Sequence, residues 1–180
     1  MVTAMDKKLV RKAVKARVSA MSAADKERFS AVMRTALKRC IDACDVNVVA
    51  MFSPLSDEPQ IWPLVDELSK TKTVVLPRVE GDVMNFYHYE PGMLSKGSFG
   101  IMEPVLCEAI EPSEIDLMVV PGVAFTADGY RMGRGKGYYD KYMSSDGFRA
   151  MKVGVCYSCQ LVDGLPVEEH DVRMDKVIYK

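Results

Sequence analysis

The sequence predicts an α/β protein: a three-layer α/β/α sandwich with a Rossmann-like, mostly parallel open sheet. Short β-branched apolar runs alternate with segments whose apolar residues recur at helical spacing. Such alternation favours parallel strands joined by helical crossovers. The chain has 180 residues, 48% of them hydrophobic, and shows no internal repeat or low-complexity tract. We therefore expect a single domain that spans residues 1–180.

Two helices are predicted in the N-terminal part of the chain. Between residues 7 and 17, apolar side chains stand among lysines and arginines at the spacing of a helix with one charged face. A second helix is predicted to begin near Ser22, whose hydroxyl can cap the first turn. The apolar stripe of this helix predicts a buried side that consists of Phe29, Val32, Met33, Ala36, Leu37 and Cys40.

The remaining elements follow from short apolar runs bounded by turn residues. The predicted strands cover residues 46–52, 74–77, 84–90, 117–120, 152–155 and 176–179. The strand at 84–90 follows a Gly81-Asp82 turn, and we expect it at one side of the sheet. Helices are predicted over 61–70, entered through Pro59, and over 137–143, while 103–114 is predicted to be a surface loop.

The composition excludes several classes of protein. A formal net charge of −1 argues against a nucleic-acid partner, because such binding domains carry a large basic excess. No run of 18 apolar residues occurs, which predicts that no segment spans a membrane. The basic segment 6–17 lacks the apolar stretch of a secretion signal. We therefore expect a cytoplasmic protein, and we expect a monomer.

The five cysteines are odd in number and lie in apolar or helical surroundings, which fits free thiols in a reducing compartment. Cys156 and Cys159 form a C-x-x-C pair, which could be a redox pair or half of a zinc site. However, there is no second such pair, and only His88 and His170 could complete a metal site. We favour buried or incidental thiols at the end of a strand.

Residues 121–140 combine alternating glycines, cations, adjacent tyrosines and a closing carboxylate in what we expect to be one loop. Gly133, Gly135 and Gly137 permit positive φ and close backbone approach, while Arg134 and Lys136 place cations between them. This pattern predicts a phosphate cradle between a strand and a helix, where open α/β sheets bind ligands. The segment matches neither a Walker A loop nor G-x-G-x-x-G. A flexible basic surface turn is the alternative interpretation.

Pro121-Gly122, Gly129 and the run from Arg131 to Asp140 resemble the signature of the 5-formyltetrahydrofolate cyclo-ligase family, also called methenyltetrahydrofolate synthetase. The resemblance covers nearly the whole chain, because the family also has an N-terminal Lys-x-x-x-Arg, a central Asp-Glu and a C-terminal His-Asp. It implies ATP-dependent cyclisation of 5-formyltetrahydrofolate to 5,10-methenyltetrahydrofolate, with release of ADP and phosphate. In this reaction the formyl oxygen is phosphorylated and the folate N10 then attacks.

The resemblance also implies which residues contact ATP. They are Lys7, Arg11, Arg131, Gly133, Arg134, Gly135, Lys136, Gly137, Tyr138 and Tyr139. Lys7 and Arg11 stand at i, i+4 spacing and so share one helix face, although the residues alone would suggest a solvated face. Lys136 and Arg134 are the predicted catalytic cations, with Lys136 the more rate-critical. Arg134 could instead clamp the folate through its planar fork.

Asp140 and Asp171 match the metal ligands of the family, and oxygen ligands suit Mg²⁺. Asp140 could equally interact with a helix dipole, and Asp171 could be part of an acidic loop. His170 could orient Asp171 or be a surface side chain.

The implied folate contacts are Glu58, Ser53, Phe99, Arg134 and Tyr138. A carboxylate such as Glu58 can accept two donors from a 2-aminopyrimidinone edge. Asp57 could do the same, and Glu58 could instead cap the following helix. Ile61 stands where family members often have threonine, which puts one hydroxyl contact in doubt.

Three other functions are compatible with parts of the sequence. Another phosphate-binding α/β enzyme would share the cradle without needing Glu58, Lys7 or Arg11. An RNA-binding module could use the basic first helix, and its binding would fall steeply with salt. A diverged homologue could keep the ATP site and act on another pterin. The preferred interpretation is a Mg²⁺- and ATP-dependent folate enzyme.

Overall fold

The computed structural model describes residues 6–97, 100–105 and 108–180. The helices are α1 (Lys7–Ser19), α2 (Ala23–Asp42), α3 (Trp62–Leu68) and α4 (Tyr138–Met143). The strands are β1 (Val48–Ala50), β2 (Thr73–Glu80), β3 (Val83–His88), β4 (Leu94–Lys96), β5 (Met102–Pro104), β6 (Leu117–Val120), β7 (Ala124–Phe125), β8 (Arg131–Met132), β9 (Met151–Cys156) and β10 (Lys176–Tyr179). Short 3-10 turns cover Pro112–Glu114 and Ser158–Gln160.

Six strands form the central sheet in the order β3-β2-β1-β6-β9-β10. All neighbours pair in parallel except β2 and β3, which form an antiparallel hairpin at one edge. From β1 the chain moves outward to β2 and β3, and it then returns to place β6 on the other side of β1. The order therefore reverses between β1 and β6, which is the topological switch point of a doubly wound sheet.

Two apolar cores lie on opposite faces of the sheet because successive strand residues point to opposite sides. Val49 and Val74 pack in the core that contains α2 and α3, while Ala50 and Val75 pack in the core that contains the end of α4. Helical side chains thus cover both faces. The prediction of a three-layer sandwich with a mostly parallel sheet is confirmed.

The strong apolar runs were predicted at the right places, and the weak strands were missed. The strands over 117–120 and 176–179 have the predicted bounds, and the β2–β3 hairpin turns at 81–82. The β4–β5 hairpin was not predicted, and part of it lies where a surface loop was expected. The prediction of one continuous loop over 121–140 is also wrong, because β7 and β8 form a short hairpin inside it.

The second helix is capped as predicted, since Ser22 Oγ accepts a hydrogen bond from the Asp25 N–H at 3.0 Å. Met33 and Leu37 are fully buried. However, Val32 is 45% exposed, so its assignment to the core is wrong. Val32 lies next to Met33 at the edge of the apolar stripe, on the side of the helix that faces solvent.

The cysteines within the described residues, Cys40, Cys44, Cys156 and Cys159, are free thiols; Cys107 lies outside these residues. Cys156 is the last residue of β9, where burial raises the pKa of its thiol to about 12. Such a thiol is a poor nucleophile at neutral pH. Within the same ranges, no helix has the length and apolar character needed to cross a membrane.

The contrast between Leu37 and Val32 gives a test of the α2 packing. Replacing fully buried Leu37 by alanine removes core contacts and leaves a cavity, so Leu37→Ala should lower the free energy of unfolding by about 2–5 kcal/mol. Val32→Ala is the matched control on the same helix, and its effect should stay within about 0.5 kcal/mol. Urea unfolding measures both; equal effects would contradict the described orientation of α2.

Candidate functional site

A cavity of about 400 Å³ opens at the carboxyl ends of β1 and β6, at the point where the strand order reverses. Phe52 and Ser53 follow β1 and line one wall, and Pro121 and Gly122 follow β6 and line the next. Ligands of open α/β sheets usually bind in this crevice. The fold therefore places the predicted loop and the end of β1 around one site.

The cavity has an apolar part and a charged part. The apolar lining comes from the end of β1, the β2–β3 hairpin and the segment before β5. It consists of Phe52, Leu55, Pro77, Val79, Met84 and Ile101. The charged lining comes from both carboxylates and cations, which are Glu58, Glu103, Arg131, Arg134, Lys136 and Asp140. A flat ring with polar edges fits such a combination.

The glycine loop runs from Gly133 to Gly137, between β8 and α4. Gly135 and Gly137 have φ of 106° and 70°, a region that glycine occupies without strain. Gly133 does not share this property, which corrects the expectation for that residue. A Cβ at Gly133 would instead lie 2.9 Å from Arg131 Nη1, so a glycine is needed there to make room for the arginine.

Arg131 and Asp140 form a buried ion pair beside this loop. Arg131 Nη2 donates to Asp140 Oδ2 at 2.7 Å, and its Nη1 donates to the Pro121 carbonyl at 3.2 Å. The arginine side chain is only 3% exposed, and its guanidinium lies 5.6 Å from the centre of the Tyr139 ring. Arg131 was predicted to contact ATP; the structure places it beneath the loop, where it holds Asp140.

Arg134 reaches from the loop to the two acidic residues after β1. It donates to Asp57 at 2.6 and 3.2 Å and to Glu58 at 2.8 and 3.2 Å. Burial alone would raise the pKa of Asp57, but the hydrogen bonds and charge of Arg134 outweigh it and lower that pKa. The same two carboxylates raise the pKa of Arg134 against the effect of its burial. Arg134 thus binds Glu58, a predicted folate contact, and Asp57, the alternative to Glu58.

Lys136 lines the cavity and is exposed. It makes no hydrogen bond or ion pair with any of the residues that the structure describes. By contrast, Arg131 and Arg134 are already paired with carboxylates. Lys136 is therefore the cavity cation that is available to an incoming anion, as far as the described residues show.

The first helix contacts the site through its predicted cations. Arg11 Nε donates to the Gly133 carbonyl at 2.9 Å, which brings α1 against the glycine loop. Lys7 Nζ lies 3.3 Å from Asp171 Oδ2 and 3.1 Å from Glu168 Oε2. Lys7 and Arg11 thus share one helix face, as their spacing predicted, and that face meets the glycine loop and the C-terminal segment.

Both predicted metal ligands are held by contacts of the C-terminal segment. Asp140 Oδ1 accepts a hydrogen bond from the Val172 N–H at 3.2 Å, and Val172 directly follows Asp171. Asp171 Oδ2 also accepts from the Glu168 N–H at 2.8 Å. Both carboxylates keep oxygen lone pairs for a hard cation such as Mg²⁺.

Asp171 also belongs to a second acidic group. Glu168, His170 and Asp171 offer ligand atoms that lie within 4.8 Å of one another. His170 Nε2 is 3.2 Å from Glu168 Oε2 and 3.9 Å from Asp171 Oδ1, and its side chain is largely exposed. His170 thus stands beside the carboxylates but is open to solvent.

The two adjacent tyrosines occupy different environments. Tyr138 donates to the Gly81 carbonyl at 3.2 Å, which ties the start of α4 to the β2–β3 turn. The Tyr139 ring packs edge-on against Phe86 with 6.5 Å between the ring centres. Burial, with the nearby charge of Glu58, raises the pKa of the Tyr139 hydroxyl. Both tyrosines line the cavity.

Ser53 and Phe99 are the two remaining residues that were predicted to contact the folate. Ser53 is buried, and its hydroxyl donates to the Met102 carbonyl at 2.6 Å, so it ties the β4–β5 hairpin to the end of β1. Phe99 lies outside the described residues. Sequence reasoning missed Glu103, a buried carboxylate of this hairpin. In the sequence, Glu103 is the first residue of the acidic stretch 103–114, which was predicted to be a surface loop, so nothing set it apart as buried.

The chain was compared with known proteins. A family model described as the 5-formyltetrahydrofolate cyclo-ligase family matches residues 3–180. The chain is 28% identical over 189 residues to the 5-formyltetrahydrofolate cyclo-ligase of Mus musculus, covering 97% of this chain and 93% of the mouse protein. It is 31% identical over 140 residues to the Escherichia coli K12 protein of the same name, covering 73% and 77% of the two chains.

The chain is also similar to a solved structure. The chain is similar to Aquifex aeolicus 5,10-methenyltetrahydrofolate synthetase, with a TM-score of 0.87, 37% identity, and coverage of 97% of this chain and 90% of the other. Because the family model covers residues 3–180, the chain belongs to the 5-formyltetrahydrofolate cyclo-ligase family, whose members are ligases that form a C–N bond.

Proposed function

We propose that the protein cyclises 5-formyltetrahydrofolate to 5,10-methenyltetrahydrofolate in a reaction that needs ATP and Mg²⁺ and releases ADP and phosphate. The γ-phosphoryl group moves to the formyl oxygen. N10 then attacks the formyl carbon, loses its proton and displaces phosphate. The observation that carries this proposal is the cavity between β1 and β6, which joins an apolar chamber containing Glu58 to the glycine loop containing Lys136.

The apolar part of the cavity suits the pterin ring of the folate. Pro77, Val79 and Met84 supply flat or flexible apolar contacts on one side, and Tyr139 stands on the α4 side. Glu58 is 5% exposed and lines the same space. Its carboxylate can accept a ring N–H with a lone pair that Arg134 and the Leu55 N–H leave unused. Ser53 and Tyr138 act there by fixing the walls through their hydrogen bonds to Met102 and Gly81.

The loop end of the cavity suits the phosphates. The positive φ of Gly135 and Gly137 shapes the loop, and Lys136 supplies a cation with no carboxylate partner among the described residues. Arg11, and Lys7 one helical turn before it, stand behind the loop and beside Asp171. Fixed cations at this place stabilise the charge that develops on the transferred phosphoryl group.

Asp140 and Asp171 are the residues proposed to hold Mg²⁺. Both provide the oxygen ligands that this ion prefers, and it needs only one or two protein carboxylates when phosphates complete its coordination. When bound, Mg²⁺ would neutralise the triphosphate. Arg131 orients Asp140 through their ion pair, and the Val172 N–H fixes the other oxygen of Asp140.

Arg134 stands between the two halves of the cavity. Its guanidinium holds Asp57 and Glu58, and its backbone belongs to the glycine loop. This position suits a residue that aligns the formyl oxygen with the γ-phosphorus, since a small misplacement of reacting atoms costs about 10²-fold in rate. We further propose a monomer in the cytoplasm. The four cysteines that the structure describes are free thiols, which supports a reducing compartment.

The direct test mixes the purified protein with Mg²⁺, ATP and 5-formyltetrahydrofolate. Methenyltetrahydrofolate is followed by its near-ultraviolet absorbance, and ADP is followed by a coupled assay. Equal, ATP-dependent formation of both products is expected. If ATP binds but neither product forms, the nucleotide half of the proposal survives, and other pterins become the substrates to test.

Lys136 gives the sharpest test of the phosphate end. Lys136→Ala removes a fixed cation from the transition state, so kcat should fall by about 10²- to 10³-fold with an unchanged melting temperature. Lys141→Ala removes an exposed cation of α4 and is the matched control, which should keep its turnover. Unchanged kcat in Lys136→Ala would remove this lysine from the mechanism.

Asp171 is the residue to replace in a test of the proposed Mg²⁺ site. The other proposed ligand, Asp140, forms a buried ion pair with Arg131, so its replacement would also destabilise the fold. Asp171→Asn should raise the Mg²⁺ concentration for half-maximal activity by at least about tenfold, because a charged oxygen ligand becomes a neutral one. Activity measured across a Mg²⁺ titration gives this value. Asp163→Asn, an exposed site in the same segment, is the control, and equal Mg²⁺ requirements of the two variants would argue against ligation.

A further inference from the structure

Glu103 on β5 is a buried carboxylate without a cationic partner. The residue is 6% exposed and lines the cavity. No lysine, arginine or histidine among the described residues lies within ion-pairing distance of it. The other buried carboxylate of the cavity, Glu58, is by contrast paired with Arg134.

The contacts that Glu103 does make leave its carboxylate open to the cavity. The Val79 N–H points at Oε1 from 3.5 Å, which is too long for a good hydrogen bond. Oε2 accepts no hydrogen bond from the described residues. The carboxylate passes so close to Gly97 that a Cβ at that position would overlap it. Gly97 therefore leaves room for the Glu103 side chain, and no described residue neutralises the carboxylate charge.

The position of Glu103 is also held firmly. Ser53 fixes the neighbouring Met102 carbonyl at 2.6 Å, and β5 pairs with β4 so that Glu103 faces Ser95 in the register. The hairpin thus presents the carboxylate from the wall that carries Ile101 and Val79. A side chain held in this way is a fixed acceptor rather than a mobile surface group.

An unpaired carboxylate in apolar surroundings destabilises a fold, typically by more than a neutral polar group would. Buried polar groups without partners in native proteins often have a role in function. A metal ion would need further oxygen ligands, whereas the described contacts of the Glu103 carboxylate are with the Val79 N–H and with Gly97. The partner that fits is a ligand with N–H donors on a flat, mostly apolar ring.

We propose that Glu103 is a second carboxylate anchor for the ring of the substrate, in addition to Glu58; this rests on the proposed function. A reduced pterin carries N–H donors at its 2-amino group, N3 and N8, more than one carboxylate can satisfy. Glu58 already accepts hydrogen bonds from the Leu55 N–H and from two Arg134 nitrogens, so most of its roughly four acceptor positions are in use. Glu103 supplies the missing acceptor.

The test is Glu103→Gln, which keeps the shape and the acceptor near Val79 but replaces the other oxygen by a donor. The Kd for 5-formyltetrahydrofolate, measured by calorimetry, should rise on the order of 10- to 100-fold, as expected for the loss of a hydrogen bond to a charged group. The Kd for ATP should change less than about twofold.

The melting temperature of Glu103→Gln without ligand should stay equal or rise, because a buried, unpaired charge is removed. Glu90→Gln, at an exposed site shortly before the hairpin, is the control for all three.

The outcomes separate this inference from the proposed function. If the wild-type protein neither binds nor converts 5-formyltetrahydrofolate, the proposed function fails and this inference fails with it. If the wild-type protein binds it and Glu103→Gln binds equally well, only the inference fails. A melting temperature that drops by many degrees in Glu103→Gln, and also in Glu103→Ala, would show that the carboxylate is structural and would overturn the inference.

Discussion

The buried ion pair between Arg131 and Asp140 connects the end of β6, the glycine loop, α4 and the C-terminal segment. Arg131 belongs to β8 and Asp140 to α4, so the pair fixes both ends of the glycine loop between them. Arg131 also donates to the Pro121 carbonyl at the end of β6, and Asp140 accepts from the Val172 N–H in the C-terminal segment. Loss of one partner would leave an uncompensated buried charge, which typically costs about 3–5 kcal/mol.

The pair also explains glycines that the loop geometry does not require. A Cβ at Gly133 would lie 2.9 Å from the Arg131 guanidinium, and one at Gly122 would lie 2.8 Å from the Phe125 ring and 3.0 Å from the Arg131 side chain. The glycines of this signature thus serve two purposes. Gly135 and Gly137 shape the loop through positive φ, whereas Gly133 makes room for the Arg131 guanidinium and Gly122 makes room for the Phe125 ring and the Arg131 side chain.

The main elements of the fold could be predicted because each has a local signal. The β-branched runs of β1, β6 and β10 and the capped, striped α2 are determined by neighbours in sequence. The β4–β5 and β7–β8 hairpins have strands of two or three residues, too short for a periodic pattern. The partners of the site residues are not local either: Arg134 meets Glu58 across 76 residues, and Lys7 meets Asp171 across 164. Motif resemblance therefore selected the residues but could not give their pairing.

That pairing has a consequence for how the proposed ligands would bind. Most predicted charges of the site are neutralised by one another: Arg131 by Asp140, Arg134 by Asp57 and Glu58, and Lys7 by Asp171. A triphosphate alone would compete with Asp171 for Lys7, and a metal ion alone would compete with Lys7 for Asp171. With both bound, Asp171 would hold the ion in place of Lys7, and Lys7 would be available to a phosphate. On the proposed function, this exchange makes the binding of Mg²⁺ and ATP mutually favourable, and by linkage each raises the affinity of the other equally.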